Sequence, residues 1–189
     1  MDPHALHFGP ILIRSGVIED RPAVQTIALE SMEQFGLTAD FHGLDVELGV
    51  FGSGSSSVFL ELVAEMCGQV VGSVLLAEEG MRTLKLCGFY VKTCFRGCGV
   101  GRSLLFSAVN QSKKYGYNGI FLETCSNMHS ALHLYHSFGW SRIGRSDPKS
   151  GTEWRYFLRL PISGSSDASS SEERIYAYEF CPQAIAMKV

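Results

Sequence analysis

Residues 91–105 read V-K-T-C-F-R-G-C-G-V-G-R-S-L-L, from Val91 to Leu105. The stretch follows an apolar run of Leu84, Leu86, Phe89 and Val91, then passes Arg96, Gly97, Gly99 and Gly101. Beyond the glycines, Val100, Leu104, Ala108 and Val109 recur at helical spacing. A strand, a glycine loop and a helix N-terminus in that order make an anion site, because the first-turn N–H groups point out of the helix and its dipole favours negative charge. Glycine lets the backbone approach a phosphate in dihedrals that a Cβ would forbid. A mononucleotide P-loop needs G-x-x-x-x-G-K-[ST], and no Lys-Ser or Lys-Thr pair stands in the right place. The dinucleotide fingerprint G-x-G-x-x-G fails too: Gly99 and Gly101 match its first glycines, but Leu104 fills the third.

Composition narrows the class. A chain of 189 residues, 46% hydrophobic and 19% charged, suits one globular domain with a substantial core. Its formal net charge of −3 offers no basic surface for nucleic acid. No run resembles a membrane span, and Met1-Asp2-Pro3-His4 opens no secretory signal. Cys67, Cys87, Cys94, Cys98, Cys125 and Cys181 show no C-x-x-C and no regular framework, which suits reduced thiols and a cytoplasmic location. Cys94 and Cys98 lack the partner ligands of a zinc site, so no metal is expected. His129, His133 and His136 share a predicted helix without a carboxylate pattern and are expected to face solvent.

Taken in order, Ile11 to Arg14 reads as a strand. Asp20 reads as the N-cap of a helix running to Phe35, with Pro22 in its first turn and Gly36 closing it. Val24, Ile27, Ala28, Ser31 and Phe35 mark its buried face. Residues 37–57 break periodicity and read as a loop with one short helix near Leu44 to Leu48. Val58 to Met66 and Gln69 to Ala77 form a predicted hairpin across Cys67-Gly68, and Thr83 to Val91 a third strand. A helix from Gly99 to about Gly116, a strand over Ile120–Thr124 and a helix over Asn127–Phe138 follow. Two strands, Ser141–Gly144 and Thr152–Leu160, complete a mixed α/β sheet of about seven strands. The domain is expected to occupy residues 1–162. Residues 163–189 begin with a serine-rich linker and end in a segment where Tyr176, Tyr178 and Phe180 alternate. That tail reads equally as an edge strand, a docked tail or an extension.

Two motifs together carry a family resemblance. Arg96, Gly99 and Gly101 fit [QR]-x-x-G-x-[GA], and Ala131, Leu134, Tyr135, Gly139 and Trp140 fit A-x-x-L-Y-x-x-x-G-[FW]. In that order they resemble the cofactor loop and a later conserved block of the GNAT superfamily of acyl-CoA N-acyltransferases, over roughly residues 11–160. The resemblance implies a mostly antiparallel sheet of about seven strands, flanked by helices, with a central parallel pair, Thr83–Val91 and Ile120–Thr124, that splays apart. It implies acetyl-CoA as acyl-donor cosubstrate. The pyrophosphate would lie on Arg96, Gly97, Cys98, Gly99, Val100 and Gly101, continuing through Arg102 and Ser103. Pantetheine would run along Tyr90 and Val91, an amide near Phe89 would polarise the thioester carbonyl, and Tyr135 would protonate the departing thiolate.

Two departures stand out. Lys85 falls where some members carry a glutamate base, and an ammonium cannot serve unless its pKa is strongly depressed. Met128 replaces an asparagine often found seven residues before the tyrosine, with Asn127 one step out of register. The base is left open among Glu61, Glu123, His129 and a water chain. The acceptor site is expected to involve residues 37–57, where Asp40, Asp45 and Glu47 suit a cationic amine, and the strand end near Cys125. The expected reaction is acetylation of a small-molecule amine. A protein N-terminus or lysine as acceptor, and a silent acyl-CoA sensor on the same fold, stand as alternatives. The chain is expected to act as a monomer or homodimer.

Overall fold

The computed structural model describes residues 9–43 and 45–161. Its seven strands are β1 (Leu12–Ser15), β2 (Val58–Met66), β3 (Gln69–Glu78), β4 (Thr83–Val91), β5 (Gly119–Thr124), β6 (Ser141–Arg145) and β7 (Trp154–Arg159). They form one sheet in the order β1-β2-β3-β4-β5-β7-β6. The helices are α1 (Arg21–Glu33), α2 (Val46–Gly49), α3 (Val100–Lys114) and α4 (His129–Ser137). All neighbouring strands run antiparallel except β4 and β5. The tail from 163 to 189, its Tyr176, Tyr178 and Phe180, and its boundary at 162 lie outside the described residues, as does Leu44.

Each face of the sheet carries its own core. Val100, Leu104, Leu105 and Ala108 of α3, with Tyr135 of α4, pack on Leu84 and Leu86 of β4 and on Ile120 and Leu122 of β5. On the opposite face, Val24 and Ala28 of α1 meet Leu48 of α2, Phe51, Val63 and Leu75. β3 lies between, buried along nearly its whole length, which explains why its sequence is a continuous apolar run instead of an alternation.

The expected elements form with small shifts at their ends, and one expected role changes. Asp20 does precede α1, but its carboxylate makes no cap bond to that helix. It accepts the Val17 amide at 3.0 Å and both terminal nitrogens of Arg14, at 2.7 and 2.9 Å. Burial alone would raise the pKa of this carboxyl; the hydrogen bonds from Arg14 and Val17 overcome that and hold it below its ordinary value. The predicted helix end at Phe35 falls beyond α1, which stops at Glu33; Gly36 closes the turn that follows, its amide bonded to the Glu33 carbonyl.

Two irregularities in β4 decide the shape of the centre. Its register with β5 holds for Thr83↔Gly119, Leu84↔Ile120 and Lys85↔Phe121, and then stops. Against β3, Leu75 pairs with Cys87 but Ser73 pairs with Tyr90, so three steps along β4 match two along β3. That is a β-bulge at Gly88-Phe89. Gly88 has φ +56°, and a Cβ there would collide with the side chain of Leu75. The fully buried Ser73 donates its hydroxyl to the Gly88 carbonyl at 2.8 Å, fixing the bulge from below. Gly88→Ala combines a strained backbone with an overpacked core and should cost about 2–4 kcal/mol. Gly97→Ala, at φ +76° with open space around it, should cost only about 1–2 kcal/mol. Urea unfolding of both variants tests this; equal losses would mean that the bulge is not locked by packing.

Candidate active site

β4 leaves the sheet at Lys92, whose amide still bonds the Val71 carbonyl at 2.9 Å. A single turn of 3-10 helix, Thr93–Phe95, buries the Phe95 ring and delivers the chain to the glycines. Gly97 and Gly99 have φ +76° and +88°, with open space where a Cβ would stand on Gly97 and only Ile11 near Gly99, at 3.9 Å. α3 then starts at Val100. The amides of Val100, Gly101 and Arg102 have no intrahelical acceptor, and no other described group accepts from them. An open, glycine-lined cradle over three unpaired N–H groups fits a pyrophosphate.

The expected site residues divide by what their side chains touch. The Val100 side chain is buried in the core, so it offers the loop only its backbone. Ser103 is buried as well, with its hydroxyl turned back to the Gly99 carbonyl at 3.1 Å. Cys98 is exposed, its sulfur 3.7 Å from the Arg96 carbonyl. Arg102 is exposed beside α4, 3.4 Å from the Ser137 hydroxyl and 5.6 Å from the Phe138 ring centroid. Arg96 reaches away from the cradle: it donates to the Gln34 side chain at 2.7 Å, the Ser31 hydroxyl at 3.2 Å and the Val91 carbonyl at 3.0 Å. Gln34 in turn donates to Thr93 at 2.9 Å, so the end of α1 and the loop are stitched together. Nothing in the sequence near Arg96 announces partners 62 and 65 residues away.

Tyr135 lies on the same side as Phe89, their ring centroids 6.0 Å apart, with Trp140 behind it at 5.9 Å. Gly101 closes that wall: a Cβ on it would lie 3.3 Å from Leu134 and from Phe89. The Tyr135 side chain is nearly buried, and its hydroxyl has no hydrogen-bond partner among the described residues. Among the described residues, the sealed polar side-chain atoms without partners are Trp140 Nε1 and Ser146 Oγ. Burial, and then the nearby Tyr90 phenol, raise its pKa well above the ordinary phenol value. Tyr90 itself is turned to the other face, against the α1 and α2 core.

On that other face the open strands carry charge. Glu123 is almost buried and takes two N–H groups of Arg155 on one oxygen, at 3.2 and 2.8 Å. Its second oxygen is 3.9 Å from the Lys85 ammonium. Glu61 accepts the Gly52 amide at 2.8 Å and so holds the loop before β2. Both carboxylates are thus engaged in structural contacts. His129, His133 and His136 are exposed, as expected. Asp45, before α2, accepts the Asp40 amide at 2.9 Å, and its own carboxyl is raised chiefly by burial. The half-buried Cys87 thiol is pushed up to about 12, chiefly by desolvation and then by the charge of Glu47. No group of three or more His, Cys, Asp or Glu suited to a metal occurs among the described residues. No described helix is long and apolar enough to cross a membrane.

Comparison with known proteins gives the arrangement a context. A family model described as the acetyltransferase (GNAT) family matches residues 26–140. An uncharacterised N-acetyltransferase of Escherichia coli K12, YjgM, is 26% identical over 141 residues, covering 70% of this chain and 83% of the relative. A GNAT-family acetyltransferase from Staphylococcus aureus Mu50 superposes with a TM-score of 0.70 at 19% identity, covering 80% of this chain and 99% of its own. The PaiA N-acetyltransferase from Thermoplasma acidophilum, solved with coenzyme A, superposes with a TM-score of 0.65 at 19% identity over 80% of this chain and all (100%) of that one.

The raised phenol has a measurable consequence. The unfolded chain loses the Tyr135 proton near pH ~10, while the folded state keeps it, so this contribution to stability is present below that pH and lost as pH rises beyond it. Between about pH 9 and 11.5, wild type should lose more unfolding free energy than Tyr135→Phe, by up to about 1.4 kcal/mol per pH unit above the unfolded-state value. Parallel losses in denaturant titrations would contradict a buried, raised Tyr135.

Proposed function

The chain belongs to the acetyltransferase (GNAT) family of acetyl-CoA-dependent transferases, and from that footing we propose that it acetylates a primary amine of a small molecule by direct attack in a ternary complex. The observation that carries this reading is the junction at Phe89: an open strand edge, a locked bulge, a buried tyrosine and the bare start of α3 meet there. In the proposed complex, the pyrophosphate of acetyl-CoA rests on the Gly97–Arg102 amides and its pantetheine arm runs along Tyr90 and Val91. The bulge presents the Phe89 amide to the thioester carbonyl oxygen, stabilising the charge that develops there.

The acceptor nitrogen, as the neutral amine, attacks the carbonyl carbon from the Tyr90 side. The C–S bond breaks, and the Tyr135 hydroxyl gives its proton to the departing sulfur and then regains one from water. A phenol held above its ordinary pKa is protonated at neutral pH, and its O–H can hydrogen-bond the sulfur and pass it a proton as negative charge builds there. The amine's surplus proton leaves through water, since Glu61 and Glu123 are held by the Gly52 amide and by Arg155. Val91 accepts from Arg96, which positions the strand end and the loop relative to each other.

Thiol release from acetyl-CoA over a panel of amines tests this reading. Tyr135→Phe keeps the ring and orphans no partner, so it should fold and bind acetyl-CoA as before while single-turnover rates fall ~10²-fold or more. Arg102→Glu places an acid in the first turn of α3, which that helix end tolerates well, but it should weaken acetyl-CoA binding ~10-fold or more in thermal-shift or calorimetric titrations. Binding without thiol release from any amine would mark a silent acyl-CoA sensor. A wild-type rate in Tyr135→Phe would remove Tyr135 from the chemistry.

A further inference from the structure

The face of the sheet that α1 and α2 cover carries a cation with no hydrogen bond among the described residues. Lys85 is the last β4 residue in register with β5, and its side chain is 31% exposed. Its ammonium approaches Glu123 Oε2 only to 3.9 Å, beyond hydrogen-bonding distance, while Arg155 already holds the other oxygen of Glu123 with two N–H groups. Arg155 thus takes one Glu123 oxygen with two N–H groups, and Lys85 keeps only the looser contact to the other, so its ammonium has donors to spare at the floor of the open strands.

The position of that charge is informative. Lys85 is in register with Phe121, yet its ammonium reaches toward Glu123, two residues farther along β5. The side chain leans into the gap where pairing has ended, to about the level of Cys87. From there to the bulge at Phe89 is two strand residues, about 7 Å. Asp45 and Glu47, at the start of α2, are close enough that their charges act on Cys87 together with that of Lys85, and Asp45 also acts on Tyr90. The opening thus holds charges of both signs.

We propose that the acceptor is an amine that also carries a carboxylate, an amino-acid-like molecule whose carboxylate binds Lys85. This rests on the acetyl-transfer reading above. With the amine at the thioester beside Phe89, an amino acid places a carboxylate oxygen about 3 Å from its nitrogen. One ionic contact of about 3 Å to Lys85 then spans the remaining distance. Asp45 and Glu47 draw in the ammonium end before it loses its proton. Glu123, held by Arg155, keeps the Lys85 side chain in the gap without neutralising it fully. Amines bearing only positive or neutral groups leave that ammonium with its long contact to Glu123 alone.

The test compares amino acids with their matched carboxamides, using kcat/KM from thiol release in wild type, Lys85→Met and Lys85→Arg. Because each pair is read in every variant, the intrinsic reactivity of the two amines cancels. The acid-to-amide ratio should fall at least ~10-fold in Lys85→Met, the scale of one charge-assisted hydrogen bond, and recover in part in Lys85→Arg. Glu123 retains Arg155 in both variants, so folding is preserved, and an acetyl-CoA thermal shift equal to wild type verifies it. An unchanged ratio in Lys85→Met, with amines still turning over, overturns this assignment and leaves the acetyl-transfer reading intact. Absence of thiol release from wild type with every amine overturns that reading, and this inference with it.

Discussion

Past Lys85 the backbone of β4 has a strand partner on one side only. Thr83, Leu84 and Lys85 pair with β5; Leu86 to Val91 do not, although both strands continue. An unpaired strand edge inside a sheet is costly unless water or another chain satisfies its N–H and C=O groups. Two antiparallel neighbours keep the gap from closing or collapsing. β3 grips β4 through the bulge, and β7 pairs with all of β5 from Gly119 to Thr124. The chain therefore holds open an internal edge of peptide groups, which is the geometry an extended thioester arm requires.

Chemistry then divides between the two faces of that opening. On the α3 and α4 side, Gly101, Leu134, Phe89 and Tyr135 build a nearly dry wall that ends at the unpaired amides of α3. The wall raises the Tyr135 pKa, so the phenol stays protonated there. On the α1 and α2 side, Asp45, Glu47, Lys85, Glu123 and Arg155 build a charged one. Arg96 connects the two halves: although it stands in the glycine motif, its guanidinium ties α1 to the end of β4. A substitution at Ser31 in α1, or at Gln34 just after it, can thus shift the glycine loop without touching it.

Most of the frame was legible because local chemistry and tertiary packing agree on it. The hairpin at Cys67-Gly68, where both residues have positive φ, and the helix opened by Gly99 are set by turn chemistry and by helical spacing of Val100, Leu104 and Ala108. Tyr135 stands out in the sequence through its motif, and the structure gives it a buried ring next to Phe89. The bulge had only a faint signal, a glycine interrupting the apolar run at Gly88; its lock, the Ser73 hydroxyl, lies 15 residues away on another strand. Asp20 misled for a similar reason. A local cap was expected, yet Arg14 on β1 offers the carboxylate two N–H groups that a helix end cannot match. Long-range ion pairs such as Glu123 with Arg155 leave no local pattern to read.

Hydrogen exchange of backbone amides, measured with and without saturating acetyl-CoA, tests the central claim most directly. If the open edge of β4 and the start of α3 form the cosubstrate site, exchange slows at Phe89 to Val91 and at Gly97 to Arg102. The paired amides of β2 and β3, already protected, change little. Binding that leaves those two segments exchanging as before, or that protects a different part of the sheet, would contradict the account.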